Sequence, residues 1–539
     1  MDQNTFKICE KIIIRLSLEP NLSYPMLDRI KRDEAKNHLS TPPKNSQILS
    51  VYHELIRKRI IKHQIRLARF LVTRRVRSLS GVTVISVLTK PYPCPGHCLY
   101  CPEQENVPKS YLRNEPAVMR AIDNKYSPYW QVINRIKSLE EIGHPTDKLE
   151  LIVIGGTWSY LPKRYQRRFI YQCFRAANGR KSLTLSSAQK LNTQAKHRII
   201  GITLETRPDF INPEEIRRMR RLGATKVELG IQCLDNRILA INRRGHDLTA
   251  IIKATSLLKD AGFKVGYHLM VNMPGATVEQ EKTASRKLFD DENFRPDFLK
   301  IYPTAILPEA PLYQWWQEGK YSPYEYRELI DLIKFIKKNV PRYCRIQRVI
   351  RDIPSDSVVV GPVKTTNLRE IILQELKSEG TPCQCIRCRE IKDHLHEFNP
   401  ILFREDYQSS GGKEIFLTFE DEGRKNLLAL LRLRIPSHVI NHSVHFWSIL
   451  NRSALVREIH TYGQHLSLGE KTISSPQHQG LGKKLLEKAE QIVSQEFNSE
   501  IDQIVIIAGV GTREYYRRFG YSLKETYMIK KLSSQTKDV

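Results

Sequence analysis

Cys94, Cys98 and Cys101 stand as C-x3-C-x2-C in the stretch "KPYPCPGHCLYCPEQENVP". Three thiolates on one short loop can ligate three irons of a [4Fe–4S] cube and leave the fourth iron open. S-adenosylmethionine can chelate such an open corner and be cleaved reductively to a deoxyadenosyl radical, chemistry the cofactor carries while the protein orients it. Zinc is the competing reading. It favours paired C-x2-C knuckles and a fourth ligand, and only His97 is near.

The elements that would position these thiols are short β-branched runs alternating with helical stretches between residues 80 and 340. Candidate strands are "TVISVL" from Thr83, "LELIVIGG" from Leu149, "IIGITLE" from Ile199, "KVELGI" from Lys226, "KVGYHLM" from Lys264 and "DFLKIY" from Asp297. Amphipathic segments such as 213–222 and 247–261 fall between them, the βα repeat of a parallel sheet or barrel. Six units are too few for an eightfold barrel, so an open partial (βα)6 barrel is predicted, with its chemistry at the strand C-terminal ends. The thiols follow the first strand directly. The second strand ends in Gly155-Gly156-Thr157, where glycines let backbone approach a ligand closely.

With 539 residues the chain predicts two or three domains and ample core without cystine staples. Seven of its ten cysteines lie in or near two clusters, which reads as metal ligation in a reduced, cytoplasmic setting. No apolar run approaches the roughly 18 residues that span a bilayer, and no membrane partner is expected. The formal net charge of +28 favours a polyanionic partner. The excess is concentrated: residues 1–80 hold 17 Lys+Arg against 7 Asp+Glu, and residues 55–77 hold nine basic residues and no acid. That tract is predicted to be one amphipathic helix with an arginine-rich face for nucleic acid. The expected division is a basic helical extension (1–80), the barrel (81–340), a cysteine-bearing linker region (341–406) and a compact α/β domain (407–539). "YQSSGGKE" from Tyr407 is read as a linker.

In the last domain, "QHQGLGKKLLEKAEQ" places Gly480 and Gly482 at the start of a strongly helical run, where free backbone N–H groups can hold a pyrophosphate. The strand "REIHTYG" precedes it and "GTREYYRRFGY" follows. Together these resemble the GCN5-related (GNAT-type) acetyltransferase fold, in which that loop holds acetyl-CoA. Gln477 satisfies the usual start of the loop motif. Tyr515 or Tyr516 falls where that fold keeps a tyrosine able to protonate a departing thiolate.

The cysteine triad with the Gly-Gly-Thr resembles the radical S-adenosylmethionine superfamily, and the two halves together resemble the catalytic subunit family of Elongator. The resemblance spans nearly the whole chain, carried by "EPAVMRA", "GHPTDKLELIVIGGTW", "AKHRIIGITLETRPD", "RRGHDLTAIIKAT", "KIYPTAIL", "CQCIRCRE" and the acetyltransferase motifs. It implies a tRNA wobble-uridine-modifying enzyme that uses a [4Fe–4S] cluster, S-adenosylmethionine and acetyl-CoA. A radical formed on the acetyl methyl would add to C5 of the uridine, and thioester hydrolysis would leave 5-carboxymethyluridine. Carried over residue by residue, Cys94, Cys98 and Cys101 bind the cluster, while Gly155, Gly156, Thr157 and Glu205 are cofactor contacts. Lys148 is the radical domain's lysine associated with acetyl-CoA. Glu458, Ile459, His460 and Thr461 run along the acetyl-CoA arm, Gln477, Gly480, Leu481, Gly482 and Lys483 meet the pyrophosphate, and Tyr516 lies near the sulfur. Cys383, Cys385 and Cys388 match a zinc motif, with Cys344, His394 and His396 open as fourth ligand.

Implied partners are the tRNA anticodon stem-loop, an electron donor and further Elongator-type subunits. The loop departs from many family members: its first cysteine gap is three residues, Cys101-Pro102 is followed by Glu103-Gln104, and Trp158 replaces a phenylalanine. The competing functions are a protein lysine acetyltransferase with the barrel as scaffold and a non-catalytic tRNA-binding scaffold. A methylthiotransferase would need a second cluster and an appended RNA-binding barrel that the chain lacks.

Overall fold

The computed structural model describes residues 2–72, 81–365, 367–391, 399–463 and 480–532. Seven parallel strands form the first sheet in sequence order: β1 (Thr83–Leu88), β2 (Lys148–Ile154), β3 (Arg198–Thr206), β4 (Lys226–Gln232), β5 (Lys264–Val271), β6 (Phe298–Pro303) and β7 (Arg345–Arg348). All six expected strands are present. The expectation of six is corrected to seven, because the short, polar β7 is recruited by pairing with β6 rather than by any apolar period of its own. Each strand alternates. On β2, Leu149, Leu151 and Val153 pack in one core with Ile136 and Phe169 of the flanking helices, while Lys148, Glu150 and Ile152 take the other face.

The second sheet comprises β8 (Ile401–Ser409), β9 (Gly412–Glu420), β10 (Leu427–Ile435), β11 (Ser453–Thr461), β12 (Gln503–Ile506), β13 (Ser522–Lys524) and β14 (Tyr527–Lys531), in the order β13-β14-β12-β11-β10-β9-β8. The linker reading of "YQSSGGKE" is corrected. β8 and β9 are a hairpin in register to Ser409↔Gly412, and the Ser-Gly between them takes φ of 51° and 70°. Positive φ at both central residues matches the twist of the flanking strands, so the tract joins the sheet instead of separating domains. β11 and β12 run parallel only from Ser453↔Gln503 to Val456↔Ile506.

The basic tract is also not one helix. Helix Asn45–Arg57 ends where Arg59 turns left-handed (φ 60°), and a new helix begins at Ile65. The Tyr52 hydroxyl accepts from the Gln64 N–H (2.8 Å) and donates to its carbonyl (3.0 Å), pinning the returning chain. Residues 73–77 of the tract lie outside the described residues. With Gln3–Leu18 and Tyr24–Asn37 these helices share a core of Ile12, Leu27, Ile48 and Tyr52, and Leu49 fits over Gly143 of the barrel.

The two sheets are joined by buried ion pairs. Arg457 of β11 donates to both carboxylate oxygens of Asp297 (2.6 and 2.8 Å), and Arg434 of β10 donates to Asp260 (2.6 Å) and Glu414 (3.0 Å). Burial pushes the Asp297 carboxyl up, but Arg457 and Arg432 outweigh it and hold it at about 2. The lock therefore stabilises the fold above the ordinary carboxylate range and is lost as pH falls from about 4 toward 2. Asp297→Ala would strip two buried guanidiniums of the carboxylate they share, leaving Arg457 with Glu414 and Arg432 with Glu458 alone, and is expected to cost about 3–5 kcal/mol, read from the denaturant midpoint of unfolding. An unchanged midpoint would show that the sheets are held by something else.

Candidate active site

The loop after β1 brings the first three thiols together beside the ends of β2 and β3. Cys98 is buried and accepts a 3.5 Å contact from Arg244 Nη1; Cys94 Sγ lies 4.0 Å from Thr157 Oγ1. Burial, then Cys98 and Cys94, push the Cys101 thiol up to about 12. A cationic group that accepts all three as thiolates would relieve that crowding. The spacing also fits. Three thiolates on one zinc ion, at about 2.3 Å each, must sit within roughly 4 Å of one another. Cys383, Cys385 and Cys388 lie within 4.8 Å of one another, whereas Cys94, Cys98 and Cys101 are not among the described groups that close. Wider separation suits separate irons of a cube. Gly155 has φ 124°, and a Cβ there would lie 2.2 Å from Thr89 Oγ1; at the neighbouring Gly156, φ 97°, a Cβ would meet only Lys109 O, at 3.9 Å. This leaves backbone bare beside Cys94, as a ligand-binding strand end requires.

Inside the half-barrel the strands present charges where a closed barrel carries apolar layers. Lys300 Nζ of β6 lies 3.0 Å from Glu205 Oε1 and 2.5 Å from Glu228 Oε2. His268 Nε2 lies 3.0 Å from the same Glu228 oxygen, and Tyr111 donates to Glu205 at 3.4 Å. Lys226 then links Glu228 (3.5 Å) to Glu150 (3.1 Å). Burial alone would neutralise these groups, but Lys300 and Lys226 hold Glu228 well below the carboxylate range, and Lys226 and Lys264 hold Glu150 at about 2. Glu205, Glu228 and His268 are close enough to hold a metal ion, yet the Lys300 ammonium supplies the cation between the two carboxylates. Of this group sequence reasoning named only Glu205. Its signal was present in the alternating charges of "KVELGI" and "DFLKIY", which put Lys226, Glu228 and Lys300 on one face.

At the strands' N-terminal ends a cavity of about 670 Å³ lies between the sheets. Glu458, Ile459 and His460 line it from the second sheet and Tyr516 from the short helix Arg513–Arg517; Glu150, Lys226 and Lys264 line it from the first sheet. The β11–β12 ladder ends at Val456↔Ile506, while β11 stays paired with β10 out to Thr461. Gly482, in the first turn of the helix Leu481–Glu496, packs against that segment: a Cβ on it would stand 3.1 Å from the Tyr515 hydroxyl and 3.5 Å from Thr461 Oγ1. Gly480 caps the helix with φ 72°, Leu481 is buried, and Lys483 is exposed beside Glu487 (3.4 Å). Burial raises the Tyr516 hydroxyl above the usual tyrosine range and keeps it protonated. Lys148 shares Glu150's face of β2 one step farther out, and is outside the cavity lining; burial pushes its ammonium down. Gln477 lies outside the described residues. The structure thus gathers Glu458–Thr461, Gly482 and both tyrosines at one cleft, with the Cys94 loop at the other end of the barrel strands.

Residues 92–286 match the family model described as the Radical SAM superfamily, and residues 296–378 match the Radical_SAM C-terminal domain. The tRNA uridine(34) acetyltransferase of Methanocaldococcus infernus is 41% identical over 91% of this chain and 92% of its own length. Elongator complex protein 3 of Bos taurus is 36% identical over 94% and 93%. A solved structure of Methanocaldococcus infernus Elp3 with an N-terminal deletion (1–46) superposes with a TM-score of 0.73 at 39% identity, covering 84% of this chain and all of that one. The chain belongs to the Elongator catalytic subunit family. It is a radical S-adenosylmethionine enzyme, and that membership implies a [4Fe–4S] cluster and S-adenosylmethionine.

The second thiol group sits between the sheets of this Elongator-type chain. Ile386 N–H donates to Cys344 O just before β7, and Ile391 N–H donates to Leu427 O of β10 (3.0 Å each). Hydrogen bonds from Cys383 and Cys388 hold the Cys385 thiol well below the usual thiol range. The buried Lys337 ammonium lies 3.9 Å from Cys388 Sγ. Cys344 is buried but outside the tight triad, and His394 and His396 lie outside the described residues. For the barrel interior, Lys300→Met would leave Glu205 and Glu228 facing each other without their cation. It is expected to destabilise the protein by about 3–5 kcal/mol in denaturant titration, with Lys300→Arg recovering most of the loss.

Proposed function

We propose that the chain is a tRNA uridine(34) acetyltransferase of the Elongator type, forming 5-carboxymethyluridine at the wobble position from acetyl-CoA. What carries the reading is one combination in one chain: 36–45% identity over most of its length to such enzymes, together with an open thiol triad and an acyl cleft. Cys94, Cys98 and Cys101 would hold the cluster, and Gly155, Gly156 and Thr157 would border the S-adenosylmethionine. The bound pair supplies a carbon radical.

The second sheet would act as a GNAT-type acetyltransferase domain. Residues 458–461, beyond the end of the β11–β12 ladder, would run along a pantetheine arm as a strand runs along a peptide. The first turn of Leu481–Glu496 would face the pyrophosphate with free N–H groups. Tyr516, protonated at neutral pH, would give its proton to the departing thiolate, with Tyr515 beside it. The basic N-terminal helices would grip tRNA phosphates, and C5 of an already single-stranded base is the least costly to expose.

Cys383, Cys385 and Cys388 would hold zinc, since three soft donors within reach of one ion match its preference. Cys385→Ser is expected to lower bound zinc and leave bound iron unchanged, measured by elemental analysis of anaerobically purified protein. Anaerobic reconstitution with tRNA, S-adenosylmethionine and labelled acetyl-CoA, followed by nucleoside mass spectrometry, tests the function directly. Cys98→Ser should abolish labelled carboxymethyluridine while tRNA affinity stays within about twofold, because phosphate contacts carry most of that affinity. Undiminished product from Cys98→Ser would remove the radical step from the scheme.

A further inference from the structure

Two exposed tyrosines flank the thiol loop and have no part in the scheme above. Tyr92 is 36% exposed, two residues before Cys94, and Tyr160 is 42% exposed, three residues after the Thr157 that touches Cys94. Their rings meet edge to face at 6.0 Å, and Tyr160 meets Phe210, after β3, at 5.9 Å. Arg207 lies 6.0 Å from the Phe210 ring centroid. Large aromatics left in solvent normally cost free energy; here they form a row from the cysteine loop across the ends of β2 and β3. The row is presented rigidly. Tyr92 sits between Pro91 and Pro93, whose fixed φ limits the loop's freedom, and Tyr160 ends the short 3₁₀ turn Trp158–Tyr160. Beside it the helix Lys163–Asn178 opens with Arg164, Arg167 and Arg168, all exposed, and with Lys163, which pairs with Glu214 (2.8 Å); Lys90 is exposed over the Tyr165 ring.

We infer that Tyr92 and Tyr160, with Phe210 behind them, form a stacking platform for unpaired bases of an RNA loop, while the cations opening helix Lys163–Asn178 hold its phosphates. Aromatic faces beside a basic strip are how proteins hold splayed single-stranded bases, and duplexes cannot use them because their bases are already stacked. The platform rests on the tRNA reading and deepens it. It would hold the loop nucleotides next to the one being modified, fixing which base reaches the thiol end of the barrel.

The test uses the full chain with an anticodon stem-loop RNA carrying 2-aminopurine next to the wobble position, and a fully paired RNA of equal length. Wild type should quench the probe on binding. Tyr92→Ala and Tyr160→Ala should each lose that quenching and weaken stem-loop binding by roughly 5- to 150-fold, the value of one stacked base. Duplex affinity and the salt slope should stay fixed, and Tyr92→Phe and Tyr160→Phe should behave as wild type. Arg164→Gln with Arg167→Gln should instead flatten the salt slope. Tyr160 lies outside the cysteine loop, so its variants remain decisive if Tyr92→Ala disturbs that loop. Equal loss of stem-loop and duplex binding, or quenching that survives both alanine variants, overturns the platform. Tyrosine-dependent quenching without any modified uridine would keep the platform and overturn the proposed function; product formed by the alanine variants at wild-type KM would do the reverse.

Discussion

The bidentate pair between Asp297 and Arg457 is the constraint on which the remaining geometry depends. Asp297 stands at the entry to β6, where it also accepts the Val265 N–H (2.8 Å), and Arg457 occupies the point at which β11 begins to part from β12. One carboxylate therefore fixes a barrel strand, its neighbour and the mouth of the inter-sheet cavity at once. Two charges buried without water gain little over a well-packed apolar joint, but either one alone is severely penalised. Such a joint tolerates one relative placement of the sheets, which is what a cavity shared between them needs. Arg434 with Asp260 repeats the device one strand away.

The same physics governs the barrel lumen. Glu228 and Lys226 are almost completely buried; Glu228 stays charged through Lys300 and Lys226, and Lys226 through Glu150 and Glu228. An apolar filling of Val, Ile and Leu would have been more stable and would have sealed the barrel. Keeping a column of paired charges from Tyr111 to Glu150 leaves a polar route between the cysteine loop and the inter-sheet cavity. Tyr111 and Cys101 are themselves linked through Ser110, which hydrogen-bonds the thiol and lies against Arg351.

Much of this was legible in the residues because the relevant signals are local. Thiol spacing, the β-branched runs and the glycines of the helix N-terminus each declare themselves within a dozen positions. What was not legible depends on distant partners. β7 is a strand only because β6 offers it an edge, and nothing within "RIQR" announces that. The break after Arg57 has no proline or glycine; it is enforced by Tyr52 holding Gln64. "SSGG" is equally compatible with a linker and a hairpin turn, and the choice is made by β8 and β9, whose alternation flanks it. The charged lumen was visible as alternation within single strands, but its meaning needed five strands, β2 to β6, side by side.

The parallel strands impose an order of events. β4 is seven residues long, and at about 3.3 Å per residue its two ends are some 20 Å apart. In the proposed scheme an acyl group resting against Tyr516 would thus lie a whole strand away from a radical formed beside Cys94. A reactive carbon species cannot idle while its target crosses that gap. Delivery would therefore have to be complete before ignition, and a carrier would need the reach of a whole strand to make it.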